Sequence, residues 1–260
     1  MTFPRVALIT GVGRRAGIAA GIADRLALDG WDIAISYFTA YDDRMPWGRQ
    51  PDDVALTLDS LRARGVRAEG IEADLADPDA ASRLFAGAEA ALGPVTALVM
   101  SHSESVDSGI LDTTVESFDR HFAVNTRASW LLIREFALRF AELVPAASAA
   151  QRIGRIVALT SDHTVFNLPY GASKGALDRV VIAAARELAD LGVSANVVNP
   201  GPIDTGWMVG DQAAQLAEAT PAGRLGTPRD TAALVSFLLS EDGGWINGQL
   251  LKSDGGFSAK

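Results

Sequence analysis

Short apolar runs alternate along the chain with longer segments of helical pattern. The apolar runs are rich in Val, Ile, Leu and Ala, and they lie at 5–10, 32–37, 66–72, 96–101, 154–160, 193–198 and 249–252. The helical patterns between them cover 17–29, 51–65, 79–92, 114–142, 170–191 and 228–240. Buried strands separated by helices are typical of a parallel sheet that is covered on both faces. The sequence therefore predicts one doubly wound α/β domain over residues 1–260, with a parallel sheet of about seven strands.

Composition and charge limit the class of partner. The 260 residues are 48% hydrophobic, which is enough for one large core. A formal net charge of −9 argues against nucleic acid, and no run approaches the roughly 20 apolar residues of a membrane span. The absence of cysteine rules out disulfides and thiolate catalysis, and the three histidines lack metal-site spacing, so we expect no metal. Because the first apolar run begins by Val6, we expect no signal peptide and a cytoplasmic location.

Two segments interrupt the alternation. Residues 39–49 form a polar stretch with Pro46 and Gly48 after the second predicted strand. Residues 205–227 follow the sixth strand, contain Trp207, and have the glycine and proline content of a mobile loop. We interpret the first as a loop and the second as a lid over a substrate.

A glycine-rich turn follows the first predicted strand. Gly11, Gly13 and Gly17 lie between the strand and an alanine- and leucine-rich helical pattern. Glycines at such a turn let the backbone approach a pyrophosphate, and the helix N-terminus offers free amides and the positive end of its dipole. A glycine turn alone is weak evidence. Its position after the first strand of an α/β pattern favours a Rossmann-type site for a dinucleotide.

Tyr170 and Lys174 are four residues apart in a predicted helix, so their side chains share one face. A free tyrosine titrates near pH ~10. A neighbouring cation favours the phenolate, and we expect it to bring the pKa of Tyr170 toward neutrality. Such a pair suits proton transfer to or from an alcohol or carbonyl oxygen.

The order of these signals resembles the short-chain dehydrogenase/reductase family, in particular its 3-oxoacyl carrier-protein reductase-like branch. The resemblance covers essentially the whole chain. The matching residues follow the family's order, with near-family spacing, and are Thr10, Gly11, Gly17, Ile18, Ala19, Asp74, Leu75, Asn125, Ser161, Tyr170, Lys174, the stretch 199–205, and Gly248, Gln249, Asp254, Gly255 and Gly256.

The resemblance implies four catalytic residues. Tyr170 would be the general acid in carbonyl reduction and the general base in alcohol oxidation. Lys174 would lower the tyrosine pKa and bind the nicotinamide ribose. Ser161 would polarise the substrate oxygen, and Asn125 would anchor a water that links Lys174 to solvent.

The resemblance also implies a set of binding residues. To the residues implied for the cofactor we add the two glycine-loop arginines and Tyr37. The full set is Gly11, Arg14, Arg15, Gly17, Ile18, Tyr37, Asp74, Leu75, Ser101, Tyr170, Lys174, Pro200, Gly201, Ile203 and Thr205. Within this set, Ile203 and Thr205 would hold the carboxamide. The residues expected at the substrate, a small ketone or alcohol, are Ser161, His163 and Trp207.

The sequence departs from the family pattern at three places. The glycine loop is two residues longer than usual. The strand-four motif, usually Asn-Asn-Ala-Gly, is replaced by Met100, Ser101, His102 and Ser103. Ser161 precedes Tyr170 by nine positions, about four fewer than usual, which leaves Thr160 and His163 as alternatives for its role.

The end of the second strand bears on cofactor preference. An acid there would bind the adenosine ribose hydroxyls and repel a 2′-phosphate. The position falls on Tyr37, while Arg14 and Arg15 lie in the glycine loop. These arginines suit a 2′-phosphate, although Asp42 and Asp43 lie nearby. The sequence therefore favours NADP(H) over NAD(H).

Other functions stay open. An enoyl reductase would fit the long glycine loop, but that branch places tyrosine and lysine seven positions apart, and position 177 is Leu. A non-catalytic nucleotide sensor or scaffold would fit the unusual strand-four motif. A nucleotide-sugar epimerase or dehydratase would need a longer C-terminal portion.

The family resemblance implies a homotetramer, with a dimer as the alternative. The predicted helices at 114–142 and 170–191 are apolar nearly all round, which calls for a partner beyond the sheet. The residues that carry this expectation are Leu131, Ile133, Phe136, Leu138, Phe140, Val180, Val181 and Ile182.

Overall fold

In the computed structural model of the protein, the described residues are 5–143, 153–208 and 211–259. Within these ranges, seven strands form one parallel sheet in the order β3-β2-β1-β4-β5-β6-β7. The strands are β1 (Val6–Thr10), β2 (Asp32–Tyr37), β3 (Ala68–Glu72), β4 (Ala97–Met100), β5 (Gly154–Leu159), β6 (Val193–Asn199) and β7 (Leu250–Lys252).

Helices connect the strands. They are α1 (Ile18–Leu28), α2 (Thr39–Asp42), α3 (Asp53–Ala63), α4 (Ala80–Leu92), α5 (Val115–His121), α6 (Ala128–Leu143), α7 (Leu168–Glu187), α8 (Gln212–Ala219) and α9 (Pro228–Leu239). A π-helical turn, Phe122–Arg127, joins α5 to α6, and short 3₁₀ turns lie at Ala189–Leu191 and Asp242–Trp245.

The central strands are buried on both faces because each face has its own layer of helices. Val6 and Leu8 of β1 face a core shared with α4, α6 and α7. Ala7 and Ile9 face the opposite core, to which α1 and α9 contribute most of the helical residues. This alternation follows from the two-residue period of a strand, and it explains why the strands are continuous apolar runs rather than alternating ones.

The strand order reverses between β1 and β4, which are neighbours in the sheet although two strands separate them in the sequence. In open α/β sheets, ligands bind outside the carboxyl ends of the strands at such a reversal. The glycine turn after β1 and the strand-four motif after β4 therefore meet at this point.

The predicted doubly wound sheet is confirmed, and the predicted strands match the observed ones to within two residues at each end. The predicted helix 114–142 is interrupted at its π-helical turn, where Asn125 lies. The predicted loop 39–49 contains α2, and the predicted lid 205–227 contains α8. Residues 209 and 210 of that lid lie outside the described residues. Among the described helices, none is long and apolar enough to cross a membrane.

Candidate active site

A cavity of about 670 Å³ lies over the carboxyl ends of the strands. It extends from Tyr37 and Asp74, after β2 and β3, to Trp207 and Leu216 beyond β6. Its size is within the range of small-molecule and cofactor sites, roughly 300–1,000 Å³. The position and size suit an extended dinucleotide.

The glycine turn forms the floor of the cavity. Gly11 has a φ of +82°, and a Cβ there would lie 2.7 Å from the backbone of His102, so only glycine fits. The amides of Gly11 and Val12 both donate to the Ser36 carbonyl, which fixes the start of the turn. At its far end, Gly17 caps α1 without a side-chain hydrogen bond. The first amides of α1 are thus left for an anion.

His102 joins three elements beneath the cavity. Its Nε2 donates to the Val124 carbonyl at 3.0 Å, because a carbonyl can only accept. Its Nδ1 therefore accepts from the Thr10 hydroxyl at 2.6 Å. Burial, and secondarily the charge of Lys174, lowers the pKa of His102 to about 3, so the ring is neutral at pH 7. This histidine, within the altered strand-four motif, thus links β1, β4 and the π-helical turn.

Asn125 ties the loop after β4 to α7. Its Oδ1 accepts from the Glu104 amide at 2.8 Å, and its Nδ2 donates to the Glu104 carbonyl and to Ser173 Oγ, both at 2.9 Å. Ser173 Oγ in turn donates to the Tyr170 carbonyl at 2.8 Å. The mid-helix asparagine thus occupies a π-helical turn, as its competition for backbone bonds suggests. It holds the backbone that carries Tyr170, and its implied role as a water anchor stays a prediction.

Tyr170 lies in the first turn of α7 and faces two hydroxyls. The hydroxyls of Ser161, after β5, and Ser103, after β4, are near enough to the phenol to oppose a rise in its pKa. The nine-residue spacing therefore does bring Ser161 to the tyrosine. Burial raises the pKa of Tyr170 above its ordinary value, and the two serine hydroxyls offset only part of that rise. The expected lowering of this pKa is wrong for this arrangement, and the phenol keeps its proton at neutral pH.

Lys174 is almost fully buried at the centre of the site. Its Nζ donates to the carbonyls of Leu159 at 3.0 Å and His102 at 3.3 Å. It lies 5.8 Å from the centre of the Tyr170 ring. Burial lowers the pKa of Lys174 to about 8, so the side chain still carries its charge at pH 7. Two of its three N–H donors are used by these carbonyls, which leaves one for a ligand.

At the opposite end of the cavity, Asp74 is paired rather than free. Both its oxygens lie 3.2 Å from the guanidinium of Arg120, and its Oδ1 accepts from the Ala76 amide at 2.9 Å. Arg120 also reaches Glu104 at 3.3 Å, a carboxylate whose side chain is only 3% exposed. Arg120 and Glu104 line the cavity and were missed by the sequence reasoning, since nothing in the sequence brings α5 to the ends of β3 and β4.

The two glycine-loop arginines point to different places. Arg14 lines the cavity, and its guanidinium donates to the Thr205 carbonyl at 3.0 Å and lies 3.7 Å from Asp42. Arg15 is outside the lining, is exposed, and its amide donates to Asp53 at 2.9 Å. The structure thus brings only one of the two arginines to the cavity, and it turns that one toward the segment after β6.

Nearly all predicted site residues meet in this one cavity. Those that line it are Gly11, Arg14, Gly17, Ile18, Tyr37, Asp74, Leu75, Ser101, Ser161, His163, Tyr170, Lys174, Pro200, Gly201, Ile203, Thr205 and Trp207. Arg15 and Asn125 are not part of the lining. Ser103, like Arg120 and Glu104, is a cavity residue that the sequence reasoning missed, although the altered strand-four motif was a signal for it. In the part of the chain that the structure describes, no group of three acidic or histidine side chains is arranged to hold a metal ion.

The fold and cavity define a dinucleotide-binding α/β protein, and comparisons with known proteins narrow this class. Residues 11–258 match the family model described as Enoyl-(Acyl carrier protein) reductase. The chain is 34% identical over 259 residues to an uncharacterized oxidoreductase of Bacillus subtilis, covering 97% of this chain and 96% of that relative. It is 33% identical over 264 residues to an NADPH-dependent aldehyde reductase-like chloroplastic protein of Arabidopsis thaliana, covering 97% and 94% of the two chains.

A solved structure has the same fold. It is a blue fluorescent protein from a metagenomic library in complex with NADPH, with a TM-score of 0.83, 32% sequence identity and 98% of each chain covered. The protein belongs to the short-chain dehydrogenase/reductase family. It is an oxidoreductase, and oxidoreductases of this family use nicotinamide cofactors.

Proposed function

We propose that the protein interconverts a carbonyl and a secondary alcohol by hydride transfer, with Tyr170 as the general acid and base. The observation that carries this proposal is the meeting of the Tyr170 phenol, the Ser161 hydroxyl and the buried Lys174 ammonium in the cavity that also contains the glycine turn. One proton donor, one hydroxyl and one fixed cation are what a carbonyl oxygen needs as it gains negative charge.

The residues of the cavity fit a nicotinamide dinucleotide. Gly11, Gly17 and Ile18 would hold the pyrophosphate through backbone amides, since the two glycines have no side chain that would block the approach and α1 begins at Ile18. Ile203 and Thr205 would hold the carboxamide. When bound, the cofactor supplies or accepts the hydride.

Tyr170 and its neighbours would handle the proton. Because burial keeps the phenol protonated at neutral pH, Tyr170 would give its proton to the substrate oxygen during reduction. Ser161 accepts from the His163 amide at 3.1 Å, so its own proton is free to stabilise that oxygen. Lys174, with its remaining N–H, would bind the ribose and stabilise the tyrosinate left after transfer.

We further propose that NADP(H) is preferred over NAD(H). Tyr37 rather than an acid ends β2, and Arg14 is a cation within the cavity. Of the similar proteins, the Arabidopsis thaliana relative is named as NADPH-dependent and the metagenomic blue fluorescent protein was solved in complex with NADPH. Against this, the Asp42 carboxylate lies within 3.7 Å of Arg14, which would partly neutralise its charge toward a 2′-phosphate.

The test is fluorescence titration of purified protein with NADPH and NADH, followed by turnover of a panel of ketones and alcohols. We expect tighter binding of NADPH, turnover of at least one ketone, and loss of that turnover in Tyr170→Phe with binding retained. Absence of binding at tens of micromolar (roughly −6 kcal/mol) would contradict the proposal. Binding without any turnover would favour a nucleotide sensor instead.

Enoyl reduction is the second candidate, because the description of the matching family model names it. The position seven residues after Tyr170 is Leu177, which is buried in the core among α4, α6 and α7. No cation could replace it there without a large desolvation cost. Adding α,β-unsaturated ketones to the panel separates the two reactions, since the proposal predicts the allylic alcohol and the alternative predicts the saturated ketone.

We propose a homotetramer, with a dimer as the alternative. Of the side chains expected at an interface, Ile133, Phe136, Phe140 and Val181 are instead buried within the chain's own core. Leu138 and the neighbouring Trp130 are about half exposed on α6. The case for association thus depends on fewer residues than the sequence suggested, and sedimentation equilibrium would decide it.

A further inference from the structure

The segment after β2 extends across the cofactor cleft. Tyr41 Oη donates to the Ser105 carbonyl at 3.4 Å, and the guanidinium of Arg44 binds both oxygens of Glu104 at 3.1 and 3.0 Å. Ser105 and Glu104 follow β4, and β1 lies between β2 and β4 in the sheet. Residues 39–47, hereafter the strap, therefore pass over the strand whose end carries the glycine turn.

The far end of the strap contacts the predicted lid. The Trp47 ring stacks on Trp207, with ring centroids 5.3 Å apart and an interplanar angle of 12°. Trp47 Nε1 also donates to Asp42 Oδ1 at 2.8 Å, which fixes the orientation of the indole. Because Trp207 follows β6, this stack completes a bridge from β2 to the other side of the cleft.

Arg14 joins the bridge to the glycine turn. Its guanidinium lies 4.5 Å from the centre of the Trp47 ring, donates to the Thr205 carbonyl at 3.0 Å, and is 3.7 Å from Asp42. Three segments that are distant in the sequence thus meet at one cation. Tyr41, Asp42, Arg14 and Trp207 line the cavity, so the inner face of the bridge belongs to the cofactor site.

We propose that the strap is a cofactor-binding segment, docked on Trp207 through Trp47, and that a dinucleotide leaves the cleft only when this stack separates. The proposal depends on the proposed function, because it needs a nicotinamide dinucleotide in the cavity. Trp47 is a positioning residue: it acts through Arg14 and Trp207 and is not itself part of the cavity lining.

The strengths of the two ring contacts at Trp47 determine how much faster the ligand should dissociate. An offset aromatic stack and a cation–π contact at a partly exposed site each contribute modestly, and their joint loss should accelerate escape of the ligand by about tenfold. Trp47→Ala removes both contacts. Trp47→Phe keeps a ring against Trp207 and under Arg14 and loses only the bond to Asp42, so it should restore most of the effect.

The experiment measures the dissociation rate of NADPH by stopped-flow fluorescence, with the equilibrium Kd from titration, in the full chain. The variants are Trp47→Ala, Trp47→Phe, Trp207→Ala and the double alanine variant. The matched control is Trp245→Ala, because Trp245 is 92% exposed in the 3₁₀ turn before β7. Thermal denaturation of each variant reports whether it is folded.

We expect dissociation about tenfold faster in Trp47→Ala, which loses the stack and the cation–π contact, and a smaller acceleration in Trp207→Ala, which loses only the stack. The double variant should be little faster than Trp47→Ala, since both substitutions remove the same stack. Trp245→Ala should match the wild type both in the NADPH dissociation rate and in the rate of a single turnover with bound cofactor.

Two results would overturn the proposal that the strap retains the cofactor. The first is an unchanged dissociation rate in Trp47→Ala or Trp207→Ala. The second is full additivity in the double variant, which would mean that the two rings act independently. Failure of the proposed function is distinguishable, because the wild-type protein itself would then bind no NADPH. The proposal for the strap would then be wrong as well, because it needs this ligand in the cavity.

Discussion

The reaction centre and the bridge over the cleft are held together by different kinds of contact. At the reaction centre, His102, Asn125 and Lys174 are nearly inaccessible and make most of their hydrogen bonds to backbone groups. In the bridge, most contacts join one side chain to another, with only Tyr41 and Arg14 donating to backbone carbonyls, and Trp207 remains 36% exposed. The first region is fixed from within the fold, whereas the second joins two surface segments.

This difference between the reaction centre and the bridge indicates which of the two regions can move. Breaking a buried hydrogen bond leaves an unsatisfied polar group, at about 1–3 kcal/mol each. The stack of Trp47 on the partly exposed Trp207 costs about 1 kcal/mol to break. We therefore expect the reaction centre to keep one geometry while this stack opens and closes around the cofactor.

The largest expected effect is that of Tyr170→Phe. The variant removes the only proton donor that we assign to the reaction, so kcat should fall by about 10²–10⁴. The Kd for NADPH should stay within twofold, because the ring and its place in α7 are kept. Steady-state kinetics and fluorescence titration measure the two quantities. A variant that keeps more than a tenth of the wild-type kcat would remove Tyr170 from the chemistry.

The second prediction concerns acid stability through His102. In the unfolded chain a histidine has its ordinary pKa near ~6.5, whereas in the folded protein the pKa of His102 is about 3. Between these two values only the unfolded state binds the proton. The contribution of His102 to the free energy of unfolding is therefore full above pH ~6.5 and is lost as the pH falls toward about 3.

Urea denaturation between pH 4 and 7 tests this prediction. Each whole-number difference between the folded and unfolded pKa values corresponds to about 1.4 kcal/mol in the free energy of unfolding. As the pH falls from 7 to 4, the wild type should therefore lose a few kcal/mol of this free energy that His102→Gln does not lose. His163→Gln is the matched control, because His163 is exposed, and it should keep the wild-type slope. Equal slopes in wild type and His102→Gln would show that the buried ring does not fix the reaction centre in its neutral form.

The third prediction separates the two serines at Tyr170. Ser161 accepts from the His163 amide at 3.1 Å, which leaves its proton for the substrate oxygen, whereas Ser103 Oγ donates to the Glu104 carbonyl at 3.3 Å. Ser161→Ala should therefore lower kcat by about 10², the effect of one lost oxyanion donor. Ser103→Ala should change kcat by less than about tenfold. The reverse order would assign the polarising role to Ser103.

The sequence was sufficient for the parts of the structure that depend on local pattern. The strands could be predicted because they are buried on both faces, and the pairing of Tyr170 with Lys174 because four residues is one helical turn. The site of Asn125 was also foreseeable, since an asparagine disturbs a helix interior.

Other features depend on contacts between distant segments and could not be read from the chain. His102 is neutral because burial, and secondarily the charge of Lys174, lowers its pKa, and only the folded protein buries the ring. Trp47 was assigned to a polar loop, because nothing near it in the sequence shows that Trp207 lies against it. The pKa of Tyr170 was predicted with the wrong sign because burial raises it, and the hydroxyls of Ser161 and Ser103 offset only part of that rise.

The two regions act separately in our proposal, the reaction centre on the chemistry and the bridge on how long the cofactor stays bound. The most direct test is the NADPH dissociation rate measured side by side in Tyr170→Phe and Trp47→Ala. We predict a wild-type rate in Tyr170→Phe and a rate about tenfold higher in Trp47→Ala. Faster dissociation in Tyr170→Phe, together with an unchanged rate in Trp47→Ala, would contradict this separation.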